Sequence, residues 1–200
     1  MSLAWQMVRY RFAGFAGTFV AIALGVAVVA GATTLWASSR PVAPERYSAA
    51  PVLVQSPTVG TNESGFPELR SWTVAEARDL ADRLARVPGV TAAVPDPVFY
   101  VQRMTGGRAT GEEETSLTDG HSWSSAALGG HRLSAGRPPS QAGEVALSGV
   151  APGAGVDVLT AAGPARWTVT GTTDGPGFYV ADPVASGLSA GIRVIGLTMK

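Results

Sequence analysis

The feature that most constrains this chain is an uncharged stretch near its N-terminus, from Phe12 to Ser39. Its central part, Phe12–Trp36, is apolar or small at almost every position. An α-helix rises about 1.5 Å per residue, so about 20 such residues cross the hydrocarbon layer of a bilayer. Within that layer a single segment satisfies its backbone hydrogen bonds only as a helix. We therefore predict a transmembrane helix over residues 12–37.

The charges around this stretch predict its orientation. Arg9 and Arg11 precede it, and the first acidic residue of the chain is Glu45. Short segments rich in Lys and Arg stay on the cytoplasmic side of a membrane. We therefore expect residues 1–11 to be a cytoplasmic segment and the bulk of the chain to lie on the extracytoplasmic side of the cell (plasma) membrane.

A cleaved signal peptide is the main alternative, since Ala30-Gly31-Ala32 could serve as a cleavage site. The apolar core of a signal peptide usually spans about 7–15 residues. The uncharged stretch of this chain is clearly longer, so we expect the helix to be retained as a membrane anchor.

Composition limits what the rest of the chain can do. Three of the fifteen basic residues lie at or before Arg40, which leaves twelve basic against fifteen acidic residues after it. This net negative charge does not fit a nucleic-acid-binding surface. The chain has no cysteine, which excludes disulfides, thiolate zinc sites and cysteine nucleophiles.

Residues 51–200 are predicted to form an extracytoplasmic α+β core domain with a mixed or antiparallel sheet, and residues 38–50 a polar linker. Pro95 and Pro97 argue against a central strand before Val98. Ser56–Ser71 is predicted to be a loop, and Thr105–Gly120 a mobile hairpin tip or a loop. The predicted strands are Pro51–Gln55, Val98–Met104, Gly143–Ser148, Val156–Thr160, Ala165–Thr172 and Ile192–Met199.

The sequence predicts one long and one short helix in this domain. Thr73 and Glu76 form a capping box at the start of a helix that runs to Val87. Asp182 and Pro183 are typical of a helix start, with Asp182 as the cap, and this short helix is predicted to end near Leu188.

The predicted hairpin around Ala161-Ala162-Gly163-Pro164 has an inward face. Val156 and Val158 on its first strand oppose Trp167 and Val169 on its second, and we expect these four side chains to face the core.

The chain offers little that resembles an active site. His121 and His131, even with Asp119, do not have the spacing of a zinc site and are predicted to be ordinary loop or edge residues. Glu112–Glu114 lie in a glycine-flanked stretch, where carboxylates are solvated. We predict no catalytic residue, no cofactor, no metal ligand and no enzymatic activity. Four aromatic residues could form a ligand cage, but core packing is the expected role of Trp123, Trp167, Phe178 and Tyr179.

The order of these segments resembles a known family. A basic start at Trp5–Arg11 leads into the predicted membrane helix, and four further stretches follow it. They are ADRLARVPGVTAAVPDPVFYV (Ala81–Val101), GHRLSAGRPPSQAGEVALS (Gly130–Ser148), GVDVLTAAGPARWTVTG (Gly155–Gly171) and FYVADPVASGLSAG (Phe178–Gly191). This order is similar to that of the N-terminal portion of FtsX-like/MacB-like ABC-transporter permeases, especially the actinobacterial ones.

The resemblance implies a permease subunit, or its N-terminal fragment, whose extracytoplasmic domain couples ATPase-driven movement to export or to an outside partner. It also implies a separate ABC ATPase subunit as partner, and the sequence has no phosphate-binding GxxxxGK[ST] loop of its own. The family has three more membrane helices after the domain, and no second apolar run occurs here. We therefore expect a truncated permease, or a chain that works beside another permease chain. The alternative is a single-pass, membrane-anchored interaction domain without a transport role.

Overall fold

The computed structural model describes residues 3–38, 44–110 and 119–200 of the chain. The chain divides into two compact units, Met1–Val42 and Ala43–Lys200. The first unit contains a single helix, α1 (Leu3–Ser38), of 36 residues. Its segment Ala16–Ser38 is long and apolar enough to cross a membrane, and it is the one such helix in the described part of the chain.

From Ala16 to Ser38 the surface of α1 is apolar and uncovered. Phe19 is 74% exposed and Leu35 is 72% exposed. The hydroxyl groups of Thr33 and Thr34 donate to carbonyl oxygens one turn earlier, at 2.9 and 2.8 Å. Such hydroxyls need no partner outside the helix, which suits a segment surrounded by lipid. In water, uncovered apolar surface is unfavourable by about 25 cal/mol per Å².

The second unit is an α+β domain, which confirms the predicted fold class. Its described residues include two α-helices, α2 (Val74–Leu84) and α3 (Asp182–Leu188). Its first strands are β1 (Val52–Gln55), β2 (Thr58–Thr61), β3 (Pro67–Leu69), β4 (Val90–Pro97), β5 (Val101–Thr105), β6 (Arg108–Thr110) and β7 (Gly120–Ser122). The others are β8 (Leu133–Gly136), β9 (Glu144–Ala146), β10 (Gly155–Thr160), β11 (Gly163–Thr173), β12 (Phe178–Val180) and β13 (Ile192–Met199).

A small sheet joins the two ends of this unit. Its strand order is β1-β13-β4, with both pairings antiparallel. Helix α2 packs on one face of this sheet, where Ala77 and Ala81 are buried and Val74, Leu80 and Leu84 are half-buried. The buried members of that core are Trp72, Ala77, Ala81, Ile192, Ile195 and Leu197.

Strand β4 was missed because it contains Pro95 and Pro97. The prolines correctly argue against a central strand, since β4 lies at the edge of the small sheet and pairs with β13 alone. A strand with one neighbour tolerates residues that lack an N–H, because half of its N–H groups face away from the ladder. The predicted strand Val98–Met104 begins later in the structure, at Val101.

A large, mixed sheet holds the main apolar core. Its strand order is β6-β5-β10-β11-β9-β12-β7, and β8 pairs with β11. Most pairings are antiparallel, whereas β11–β9 and β12–β7 are parallel. The buried side chains of this core are Phe99, Val101, Val145, Leu147, Val156, Val158, Trp167, Val169, Val180 and Ala185.

The predicted hairpin is present as β10 and β11. Val156 pairs with Trp167, and Val158 pairs with Ala165. The side chains of Val156, Val158, Trp167 and Val169 are all buried, as the alternating pattern predicted. The inward face of the hairpin is therefore confirmed, although Val169 lies one step beyond the residues opposite β10.

The predicted N-cap is confirmed for α2 and is wrong for α3. Thr73 and Glu76 form the predicted capping box at the N-terminus of α2. The N-cap of α3 is Ala181, and no side chain caps it. The carboxylate of Asp182 instead accepts a hydrogen bond from the backbone N–H of Ser124, at 3.0 Å.

Two segments predicted to be irregular are ordered. Ser56–Ser71 contains the antiparallel pair β2–β3, whose exposed faces left no apolar alternation to detect. The predicted linker also differs from the structure, because a 3₁₀ turn at Glu45–Tyr47 belongs to the second unit. Tyr47 is 4% exposed and Ala50 is 6% exposed. Their polar neighbours in the sequence gave no sign of this burial.

Candidate functional site

The most unusual feature of the domain is a buried carboxylate, that of Asp96, which is 2% exposed. Its Oδ2 accepts a hydrogen bond of 2.7 Å from the hydroxyl of Tyr47, and Nε of Arg46 lies 3.8 Å from the same oxygen. Nδ1 of His121 lies 3.3 Å from Oδ1. The ring of Tyr179 packs against His121, with centroids 5.6 Å apart. We call these five residues the Asp96 cluster.

Four separate parts of the chain supply this cluster, and one of them is strand β12, which carries Tyr179. Asp96 lies near the end of β4 in the small sheet, and His121 lies on β7 of the large sheet. Arg46 and Tyr47 belong to the 3₁₀ turn at Glu45–Tyr47. The cluster therefore holds both sheets and the turn together.

The backbone reinforces the same junction. Phe99, just after β4, exchanges two backbone hydrogen bonds with Gly120 on β7, at 3.0 and 3.1 Å. A Cβ at Gly120 would overlap the ring of Phe99, so the close approach of these two backbone segments requires glycine at position 120. After the 3₁₀ turn, the N–H of Ala49 donates to the carbonyl oxygen of Leu128 at 2.8 Å.

The cluster is electrostatically balanced around an ionised carboxylate. Burial disfavours the charge, but the hydrogen bonds from His121 and Tyr47 and the charge of Arg46 outweigh it and keep the pKa of Asp96 below its usual value. An ionised carboxylate only accepts hydrogen bonds, so His121 carries a proton on Nδ1 when it binds Asp96. Burial, and then the Asp96 charge, raise the pKa of Tyr47 and raise that of Tyr179 to about 12.

The polar groups of the cluster bind one another and are not accessible to solvent. Tyr47, Asp96 and His121 are each no more than 5% exposed. A general acid or base must reach its substrate at about 2.6–3.2 Å, directly or through one water. The arrangement as it stands fixes the position of the 3₁₀ turn on the domain, and we treat it as a structural junction.

The second histidine also packs against Tyr179. Nδ1 of His131 is 3.9 Å from Oδ1 of Asp174, and its ring centroid is 6.3 Å from that of Tyr179. Asp174 also accepts the backbone N–H of Arg132 at 2.8 Å. His131 lies in a loop and His121 on the edge strand β7, as predicted, but the side chain of His121 is buried and binds Asp96.

The other candidates from the sequence are dispersed. Trp167 packs against Phe99 in the core of the large sheet, whereas Trp123 packs against Tyr179 in a separate cluster. Phe178 is half-buried against the large-sheet core. The four aromatic residues therefore do not share one cage.

The acidic candidates do not assemble into a ligand set either. Burial raises the pKa of Asp119 above its usual value. Residues 112–114 lie outside the described residues. Within residues 3–38, 44–110 and 119–200, no three His, Asp or Glu side chains are grouped so that they could hold a metal ion.

Sequence reasoning missed the Asp96 cluster altogether. Asp96 stands between two prolines, in a segment predicted to lack a strand, and Tyr47 stands in a predicted linker. The one available signal was an Asp inside an otherwise apolar run, Val90–Val101, where an acidic residue is buried only with partners. The identity of those partners depends on contacts between residues far apart in the sequence.

Comparison with known proteins gives a limited result. No protein-family model matches the sequence, and no curated protein matches it. Among solved structures, the periplasmic region of MacB from Actinobacillus actinomycetemcomitans is similar, with a TM-score of 0.44 and 12% sequence identity. The similarity covers 73% of this chain and 73% of that one.

Proposed function

We propose that this chain is a permease component of an ABC transporter of the FtsX-like/MacB-like kind. The observation that supports this most is the 23-residue apolar span Ala16–Ser38, which is followed directly in the chain by an α+β domain. Arg9 and Arg11 before the span favour a cytoplasmic N-terminus and an extracytoplasmic domain. The order of motifs along the chain, described above, supports the same assignment.

The Asp96 cluster gives this proposal a physical route for coupling. Helix α1 ends at Ser38, and the 3₁₀ turn begins seven residues later at Glu45. Because Tyr47 is held by Asp96 and through it by His121, a displacement of the chain after α1 would pass to both sheets at once.

The proposed partners follow from this role. A separate ABC ATPase would supply the energy, and another permease chain or further membrane helices would complete the pathway. The domain would carry the movement outwards, to an exported substrate or to an outside protein. No nucleic acid, cofactor or enzymatic reaction is part of the proposal.

The test is co-expression of the full chain with the ABC ATPase encoded nearest to its gene, followed by purification in lipid nanodiscs through a tag on this chain. We expect the ATPase to co-purify and its ATP hydrolysis to change in the complex. Tyr47→Phe should leave the complex intact but weaken the effect of this chain on ATP hydrolysis. The distant control Thr168→Val should leave both the complex and its ATP hydrolysis unchanged. An intact chain that retains no ATPase would contradict the proposal and favour an anchored interaction domain.

A further inference from the structure

The domain contains a cleft of about 410 Å³ beside the Asp96 cluster. Pockets that bind small organic molecules typically have volumes of about 300–1,000 Å³. The walls come from several elements, including the loop between β4 and β5, the end of α3, strand β13 and the turn between β10 and β11. The cleft is thus built by the whole domain rather than by one loop.

Most of the cleft wall is apolar and incompletely covered. Leu69, Val98, Leu188 and Val194 line it, and each of these side chains is half-buried. Half-buried aliphatic side chains on a concave surface gain further burial when an apolar ligand enters, worth about 25 cal/mol per Å² of apolar surface. The wall therefore favours the apolar part of a ligand.

The charged groups of the cleft favour an anion. It is lined by two arginines, Arg46 and Arg193, and by one acidic residue, Asp96, whose carboxylate is already bound by Tyr47 and His121. Arg193 is exposed, and its Nε donates to the hydroxyl of Ser71 at 3.3 Å. Among the described residues, no carboxylate lies within ion-pair distance of Arg193. A guanidinium has five N–H donors, so a fork remains that matches a carboxylate or phosphate.

We propose that this cleft binds an amphipathic organic anion, with its carboxylate or phosphate group at Arg193 and its apolar body along Leu69, Val98, Leu188 and Val194. Two sources have this chemistry: a single-chain lipid from the bilayer, and a soluble amphipathic acid from the surrounding water. This binding needs neither an ATPase nor a second permease chain, so it stands or fails separately from the proposed function.

The test is photo-crosslinking on the full chain in lipid nanodiscs. A ten-carbon carboxylic acid with a diazirine on its chain is added from water, and labelled peptides are mapped by mass spectrometry. In a second arm, a diazirine-bearing lysophospholipid is loaded into the nanodisc. Labels within residues 98–100 or 188–194, from either source, are the expected result, and the productive arm identifies the source.

Variants of exposed residues separate specific binding from adsorption. We expect Arg193→Gln to reduce cleft labelling by the acid about tenfold, as for the loss of a charge-assisted hydrogen bond, and Arg193→Lys to retain most of it. Arg108→Gln, on exposed strand β6, serves as the matched control. The alcohol analogue of the acid should label the cleft weakly.

A steric pair completes the design. Ala161 lines the cleft and Ala162 does not, and both are exposed in the turn between β10 and β11. We expect Ala161→Trp to block labelling and Ala162→Trp to leave it unchanged. Labelling that is confined to α1, or cleft labelling that is equal for the acid and the alcohol and unaffected by Arg193→Gln, would overturn the proposal.

Discussion

The core of the large sheet and the Asp96 cluster solve the same packing problem in opposite ways. The large-sheet core consists of apolar side chains that alternate along the strands, such as Val156 and Val158 on β10. The Asp96 cluster buries a carboxylate, two phenol groups and an imidazole. Apolar packing is tolerant of exchange among side chains of similar size, whereas a buried ionised group requires each of its partners. The first supplies stability, and the second fixes where one particular segment lies.

The largest expected effect tests the polar half of this contrast. Asp96→Ala should lower the free energy of unfolding of the domain by about 3–5 kcal/mol, because it removes the shared partner of Tyr47 and His121 and leaves buried polar groups unpaired. Urea unfolding of the full chain in nanodiscs, followed by near-UV circular dichroism, measures it. The exposed Asp157→Ala is the control, and equal effects of the two variants would show that the cluster has no special role.

The next prediction asks whether the cluster holds the 3₁₀ turn. Tyr47→Phe removes a single hydrogen bond to a charged group and should cost about 1.5–3 kcal/mol. It should also speed amide hydrogen exchange at Ala49 and Ala50, whose N–H groups bond to Leu128 and Tyr47. Exchange in β10 and β11 should stay slow. Unchanged exchange at both alanines would mean that the turn is held by other contacts.

The matching change in the apolar core should act differently. Val158→Ala deletes two buried methyl groups and leaves a small cavity, at a cost of about 2 kcal/mol. We expect hydrogen exchange at Ala49 and Ala50 to remain at the wild-type rate while exchange in β10 rises. Faster exchange at Ala49 and Ala50 in Val158→Ala would show that the apolar core and the Asp96 cluster do not act separately on the 3₁₀ turn.

Acid should affect the polar cluster selectively. The pKa of Asp96 is lowered in the folded state, so its ionised form adds stability above the unfolded pKa of about 3.9. That stability is lost as the pH falls through and below this value towards the folded pKa. Wild-type unfolding free energy should therefore fall more steeply between about pH 5 and 3 than that of Asp96→Asn. Parallel curves for the two proteins would show that Asp96 is not ionised in the fold.

The smallest effect is expected at the surface. Arg166 and Asp157 form an ion pair of 3.1 Å with side chains that are 71% and 55% exposed. Arg166→Gln should change the free energy of unfolding by about 0–1 kcal/mol, and added salt should weaken even that. The same urea titration at low and high salt checks it. If Arg166→Gln lowered the free energy of unfolding as much as Asp96→Ala, burial would not determine how much a charged group contributes to stability.

The comparison also explains what could be predicted from the sequence. Helix α2, the hairpin of β10 and β11, and β13 follow from local signals, because caps and apolar periodicity act over a few residues. Strand β13 has the predicted bounds, Ile192–Met199. The pairing of Tyr47, Asp96 and His121 depends on residues 49 and 25 positions apart, and no local pattern encodes it.

Edges and short exposed strands account for most of the remaining errors. Strand β4 contains prolines that only an edge position tolerates, and β2, β3 and β8 are short and largely exposed. The cap of α3 failed for a related reason, since Asp182 is used for a distant contact with Ser124. In each case a tertiary contact decided between local alternatives.

The central claim is that α1 crosses the membrane once and leaves residues 43–200 on the extracytoplasmic side. The chain has no cysteine, so a single introduced thiol is unique. Ser64→Cys places it on the exposed loop between β2 and β3, and Ser2→Cys places it before α1. With a membrane-impermeant maleimide on intact spheroplasts, we predict labelling of Ser64→Cys at once and of Ser2→Cys only after lysis. Labelling of Ser2→Cys on intact spheroplasts, with Ser64→Cys protected until lysis, would contradict the account.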